Sequence, residues 1–171
     1  DLVYLQDQYK HIFHKGSGNI LPDGLNEPNN APGLYIKPNT NELLLIMNTF
    51  NEVDERVTIT NVPMNKWVCV QIRCTNKNID VYMNGRIAKR LQLSGVPRQN
   101  YGDVYVAQNG GFSGYISNLR YYNYALNVNE IQSIVNNGPN TKMVGKSQSK
   151  ALPRYLSLRW YFAENNDSYN S

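Results

Sequence analysis

Residues 67–85 read WVCVQIRCTNKNIDVYMNG, and the alternation in this stretch decides the fold. Val68, Val70, Ile72 and Cys74 alternate with Cys69, Gln71 and Arg73, the period of two expected of a strand with one buried face. Thr75-Asn76-Lys77-Asn78 then forms a turn, after which Ile79, Val81 and Met83 alternate with Asp80 and Tyr82. A four-residue connection sets Cys74 opposite Ile79, Ile72 opposite Val81 and Val70 opposite Met83 on one face, with Arg73 against Asp80 and Gln71 against Tyr82 on the other. The second set reads as a solvated polar strip. Asn84-Gly85 begins another hairpin, and a three-residue Asn84-Gly85-Arg86 loop would place Ile87 opposite Met83, inside. Two antiparallel pairings thus follow one another, which excludes a helical or α/β architecture for the middle of the chain.

Outward from this centre the same grammar recurs. His11 to Phe13, Gly33 to Lys37, Glu42 to Asn48, Arg56 to Thr60 and Val104 to Ala107 are short β-favouring runs between Gly, Pro and Asn clusters. Gly114 to Tyr122 reads as a further strand, and Leu156, Leu158, Trp160 and Phe162 alternate with Ser157, Arg159 and Tyr161 as a closing one. Trp67 and Trp160 are expected in the core. Lys15 to Pro32 is polar, rich in breakers and aperiodic, hence a long loop, and loops of that length often carry function. One helix is expected. Asn127 followed by Glu130 forms a capping box, Ile131, Ile134 and Val135 supply an apolar face, and Gly138-Pro139 stops the turn. The fold class is therefore all-β, an antiparallel sandwich with one short helix, read as a single domain over residues 1–171 with a polar tail at 163–171.

Composition agrees. Hydrophobic residues make up 41% of the 171-residue chain and charged residues 18%, enough apolar surface for a core under a polar exterior. The formal net charge is +4, but Lys and Arg are scattered rather than interleaved with aromatics, which points away from nucleic acid. No run approaches the about eighteen apolar residues needed to cross a bilayer, so no membrane insertion by this segment is expected. Cys69 and Cys74 lie on opposite faces of one strand, roughly 16 Å apart, and read as free thiols.

Two motifs resemble the laminin G-like branch of the concanavalin A-like lectin/glucanase superfamily. Trp67-Val68-Cys69-Val70 with Ile79-Asp80-Val81-Tyr82-Met83-Asn84-Gly85 is similar to that family's Trp-led strand and "L-x-V-Y-x-N-G" hairpin. Gly111 to Tyr121, with Tyr124-Ala125-Leu126 and Glu130-Ile131, is similar to its "F-x-G-x-I-x-x-L-R-x-Y-x-x-A-L-x-x-x-E-I" signature, so the likeness runs from about residue 33 to 139. The end of the chain is most similar to versions encoded by large double-stranded DNA viruses. The family's aromatic-rich first strands have no counterpart before His11-Ile12-Phe13. The resemblance implies a concanavalin A-like jelly roll and a non-enzymatic surface-binding module recognising a glycan or a surface protein. The alternatives are a structural component of a viral particle packing against other viral structural proteins and, third, a glycoside hydrolase. It places the protein on a virion or at a cell surface or outside the cell.

Candidate chemistry is sparse. A glycosidase of this superfamily needs paired carboxylates on one strand face, and Glu52-Val53-Asp54-Glu55 supplies only a fragment of that pattern, since Arg56 follows; no catalytic residue is assigned. His11 and His14 have no Cys, Asp or Glu close in sequence to complete a metal set and read as strand-edge residues, so no metal ligand is assigned. No cofactor is expected; calcium, which takes about six or more oxygens, would look to the loop residues Asp23, Asp54 and Asp103. Sugar binding needs aromatic faces beside amides, and Asn100, Tyr101, Asn109, Tyr122 and Tyr124 are the expected ligand-binding residues.

Overall fold

Five consecutive apolar residues, Leu43-Leu44-Leu45-Ile46-Met47, cannot form a strand with one wet face, because alternate side chains point to opposite sides. In the computed structural model, which describes residues 7–142, all five are buried. They form β3 (Leu43–Met47), flanked in one antiparallel sheet by β2 (Asn30–Ile36) and β4 (Glu55–Ile59). β1 (Lys10–Gly16) pairs with β2, and β8 (Asp103–Val106) pairs with β1, giving the order β4-β3-β2-β1-β8. A second sheet holds β5 (Val70–Thr75), β6 (Asn78–Met83) and β7 (Arg86–Gln92) in that order. Leu34, Leu43, Leu45, Met47, Val57 and Ile59 of the first sheet share one buried cluster with Ile79 and Val81 of the second. This is an antiparallel sandwich, as the alternation predicts. Leu44 and Ile46 turn to the opposite side of β3 and form a separate cluster with Tyr35 and Leu25, with Tyr9 packed against it.

The β5–β6 register is the one read from sequence: Cys74 pairs with Ile79, Ile72 with Val81, Val70 with Met83, and Arg73 with Asp80. The outer strip is not solvated, however. Asp80 and Tyr82 are buried, Gln71 Nε2 donates to the Ile131 carbonyl at 3.3 Å, and Asp80 meets both Arg73, at 3.7 Å, and Arg90. The next turn also differs. Asn84 and Gly85 both have positive φ, 51° and 79°, the requirement of a two-residue turn whose twist matches its strands. Met83 therefore pairs with Arg86 and Ile87 with Tyr82, leaving Ile87 50% exposed.

The helix α1 (Val128–Asn137) has the expected Asn127–Glu130 capping box and ends at Gly138, and Ile131 is its one fully buried residue. Gly114 to Tyr122 does not form a strand; Asn118, at φ 53°, turns left-handed in the middle and breaks the extended run. Trp67 is 46% exposed because it precedes the first residue of β5 by three positions, and its ring lies 6.4 Å from that of Tyr115. Cys69 and Cys74 are free thiols. By internal contacts the chain divides into Asp1–Pro139 and Asn140–Ser171. The expected strand at Leu156–Phe162, with Trp160, and the tail at 163–171 lie outside the described residues.

The two burial states predict different costs. Leu45→Ala should destabilise by about 2–5 kcal/mol, as for a buried large-to-small change, and Trp67→Ala by less than about 1.5 kcal/mol. Urea denaturation of both variants measures this, and a larger loss for Trp67→Ala would contradict the placement of its ring.

Candidate functional site

The long connection after β1 covers the outer face of the first sheet, and a polar network fixes it there. β1 extends to Gly16 and β2 begins at Asn30, so the connection is shorter than the Lys15–Pro32 stretch suggests. His11 and His14 are not at a sheet edge: β1 lies between β2 and β8, and both rings are buried. The Gln108 main-chain N–H donates to His11 Nδ1 at 2.9 Å, so that nitrogen is unprotonated and His11 Nε2 carries the hydrogen. It donates to His14 Nδ1 at 2.6 Å, and His14 Nε2 donates to the Ser17 carbonyl at 2.7 Å. The chain of bonds runs one way and closes with both rings neutral. Burial, aided by the neighbouring ring, lowers the His11 pKa to about 4, and burial lowers that of His14.

Further along, Asn26 Nδ2 donates to the Ser17 and Asn19 carbonyls, and Asn30 Nδ2 to the Asn26 carbonyl at 2.6 Å. The Tyr35 hydroxyl donates to Asn30 Oδ1 at 2.6 Å and accepts from Asn26 N–H at 3.2 Å. Burial pushes the Tyr35 pKa up to about 12, so the hydroxyl keeps its proton. Leu25 supplies the apolar pin beneath.

Both ends of this connection flank a cleft of about 350 Å³. Gly16, Ser17, Asn29 and Ala31 form one side; Asn48 and the run Arg98-Gln99-Asn100-Tyr101-Gly102 complete it. The two sides are tied through the backbone: Asn48 N–H donates to Asn30 O at 2.8 Å and Arg98 N–H to Asn48 O at 2.9 Å. A Cβ on Gly16 would sit 1.8 Å from the Asn29 carbonyl oxygen, so only glycine permits this approach. Asn100 Nδ2 donates to Lys15 O at 2.8 Å while its Oδ1 accepts Gly102 N–H at 2.7 Å, locking the Arg98–Gly102 segment against β1. Tyr101 stands 86% exposed. Asn48 Nδ2 donates to Pro28 O at 2.7 Å, whereas its Oδ1 is buried with no partner among the described residues.

Of the five expected ligand-binding residues, Asn100 and Tyr101 line this cleft. Tyr122 and Tyr124 meet edge to face at 5.9 Å, with the Tyr124 hydroxyl donating to Glu130 at 3.2 Å at the start of α1. Asn109 is exposed in the turn after β8 and lines neither place. Sequence reasoning missed Asn48, Arg98 and Gln99; the length of the Lys15–Pro32 stretch was the signal that pointed to this side of the sheet. The acidic run 52–55 is structural in its last member: Glu55 accepts from Ser94 N–H at 3.0 Å and from Thr49 at 2.8 Å. Burial works to raise its pKa, but these bonds hold it below the ordinary value. Asp54 is paired with Arg56 at 2.6 Å, and Asp23 accepts Leu25 N–H at 3.0 Å. Among the described residues no group of three or more His, Cys, Asp or Glu side chains could hold a metal ion.

A laminin G family model described as the concanavalin A-like lectin/glucanases superfamily matches residues 6–132. Among solved structures, residues 221–444 of an S-layer domain-containing protein from Clostridium thermocellum align at 14% identity and TM-score 0.35 over 75% of this chain. The receptor binding domain of botulinum neurotoxin type G aligns at 16% identity and TM-score 0.45 over 79% of it. The chain spans 64% of the first structure and 33% of the second. No curated protein gives a match.

The histidine network sets a pH dependence. Above the ordinary value of 6.5 both states leave His11 neutral; below it the unfolded chain takes a proton that the folded chain refuses until about pH 4. Stability is therefore lost as pH falls through that window, by about 2 kcal/mol at pH 5 for His11 alone, with His14 adding in the same direction. Urea unfolding at pH 7 and pH 5 reads this directly, and equal midpoints would contradict it.

Proposed function

The chain belongs to the concanavalin A-like lectin/glucanases superfamily, and from that premise we propose that it is a non-enzymatic module binding carbohydrate or glycoconjugate at a cell surface or outside the cell. The observation that carries this reading is the Gly16–Asn29–Asn48–Arg98-to-Gly102 cleft. Its wall offers amides to hydroxyls, and the exposed Tyr101 ring at its side offers a π-face to the C–H surface of a sugar. Because the frame is held by backbone bonds, the site is formed before ligand arrives, which limits the ordering cost of binding. Among the described residues the side chains lining it include no carboxylate, and Glu55 is consumed by Ser94 and Thr49, so the paired acid and base of a glycosidase have no counterpart among them.

A second reading, a structural part packed against neighbouring proteins of a particle, draws on the exposed Trp67–Tyr115 pair, since adjoining exposed apolar rings mark contact surfaces. Concentration-dependent assembly by sedimentation, abolished in Trp67→Ala, would favour it.

For the primary reading, the whole chain screened on a glycan array should retain a defined set of saccharides, and Tyr101→Ala should weaken the best of them by roughly tenfold in calorimetry. Because Tyr101 is so exposed, that variant should fold normally. Silence across the array would sink the reading. Incubation with β-glucans should release no reducing ends, and turnover that disappears in Glu52→Gln would make the protein a hydrolase.

A further inference from the structure

We infer that the saccharide held in the cleft carries a carboxylate, which pairs with Arg98. This rests on the reading of the cleft as a sugar site and adds the chemical class of the sugar. Among the described residues Arg98 is the one ionisable cation lining the cleft, and no acid joins it there. Its place in the wall is fixed by the bond from its own N–H to Asn48 O at 2.9 Å, while its side chain is exposed. Arg56, Arg73, Arg90 and Lys37 each meet a carboxylate; Arg98 is in none of these pairs. A second cation stands behind the wall, where Lys15 Nζ donates to the carbonyl of Gly102, a lining residue. Asp103 pairs with Gly16 between β8 and β1 but is not among the lining residues. Arg98 is thus a cation open to an anion, and a planar guanidinium matches a carboxylate through two parallel hydrogen bonds.

An anion alone does not complete the site. Gln99 is exposed in the same wall, and the oxygen of its amide is satisfied only by a hydrogen donor. Carboxylate, sulfate and fully ionised phosphate groups have no hydrogen to give, whereas a sugar hydroxyl does. Tyr101 adds the third demand, a C–H face to stack upon. A neutral sugar meets the second and third demands, a simple anion meets the first, and a sugar acid meets all three at once. The volume of about 350 Å³ lies at the small end of ligand sites, which suits one terminal ring of a longer chain.

The test uses the whole chain and protein-observed NMR titration with methyl glucuronide and methyl sialoside, each beside its own methyl ester, and with inorganic phosphate. At least one sugar acid should bind roughly tenfold or more tightly than its ester, with shifts centred on residues 98–102. Arg98→Gln should bring that ratio to about one, and Arg98→Lys should keep part of it, since it retains the charge without the fork. Equal affinity of acid and ester, or a ratio unmoved by Arg98→Gln, would overturn the inference and leave the sugar-binding reading standing. Phosphate binding as tightly as the sugar acids would also overturn it, reducing the site to a general anion pocket. Failure of both acids and both esters to bind, together with a silent glycan array, would remove the sugar-binding reading itself.

Discussion

A strand that is apolar at every position must be covered on both sides, and β3 imposes that condition on the whole domain. One side is met by the second sheet, through Ile79 and Val81 against Leu43, Leu45 and Met47. Among the described residues no third sheet meets the other side. Leu44 and Ile46 are instead covered by Leu25, from the connection between β1 and β2, and by Tyr9. At about 25 cal/mol for each Å² of apolar surface removed from water, two large side chains on that side give the connection a reason to lie flat rather than extend into solvent. The position of the cleft follows, because the ends of the flattened segment, Gly16-Ser17 and Asn29, are where the chain must leave and rejoin the sheet.

Covering a sheet with a loop buries backbone groups that no strand ladder can satisfy, and the polar residues of the outer face answer that need. His14 and Asn26 both serve the Ser17 carbonyl, while Asn30 and Tyr35 hold Asn26 in place. The histidines suit this role because a neutral imidazole donates at one nitrogen and accepts at the other, so two in series can pass polarity from the Gln108 amide to the Ser17 carbonyl across one strand. The same arrangement that satisfies the loop makes it sensitive to acid, since a second hydrogen on either ring would face another donor.

The architecture was legible wherever side-chain period alone fixes geometry. The β5–β6 register could be written from alternation because a slip by one residue would bring Asp80 to the core and Val81 out of it. It failed where a turn type intervened: Asn84-Gly85 accepts positive φ at both positions, shortening the loop by one residue and moving Ile87 outside. It failed too at Asn118, whose left-handed backbone leaves no trace in hydrophobic pattern, and at Trp67, where an aromatic residue next to a strand was read as part of it. The lining of the cleft was half legible. Asn100 and Tyr101 announce themselves as an amide beside an aromatic in a loop, but Asn48 ends an apolar strand and Arg98 follows a proline, and only the tertiary approach of residues 48 and 98 makes them neighbours.

The cleft separates frame from exposed side chains residue by residue. Gly16, Asn100 and the backbone of Arg98 shape it and tolerate little change, whereas the exposed side chains of Arg98, Gln99 and Tyr101 protrude from that frame without supporting it. Descendants of this sequence could therefore exchange those three for other residues and change the chemistry of the cleft wall in a few substitutions, with no intermediate that fails to fold.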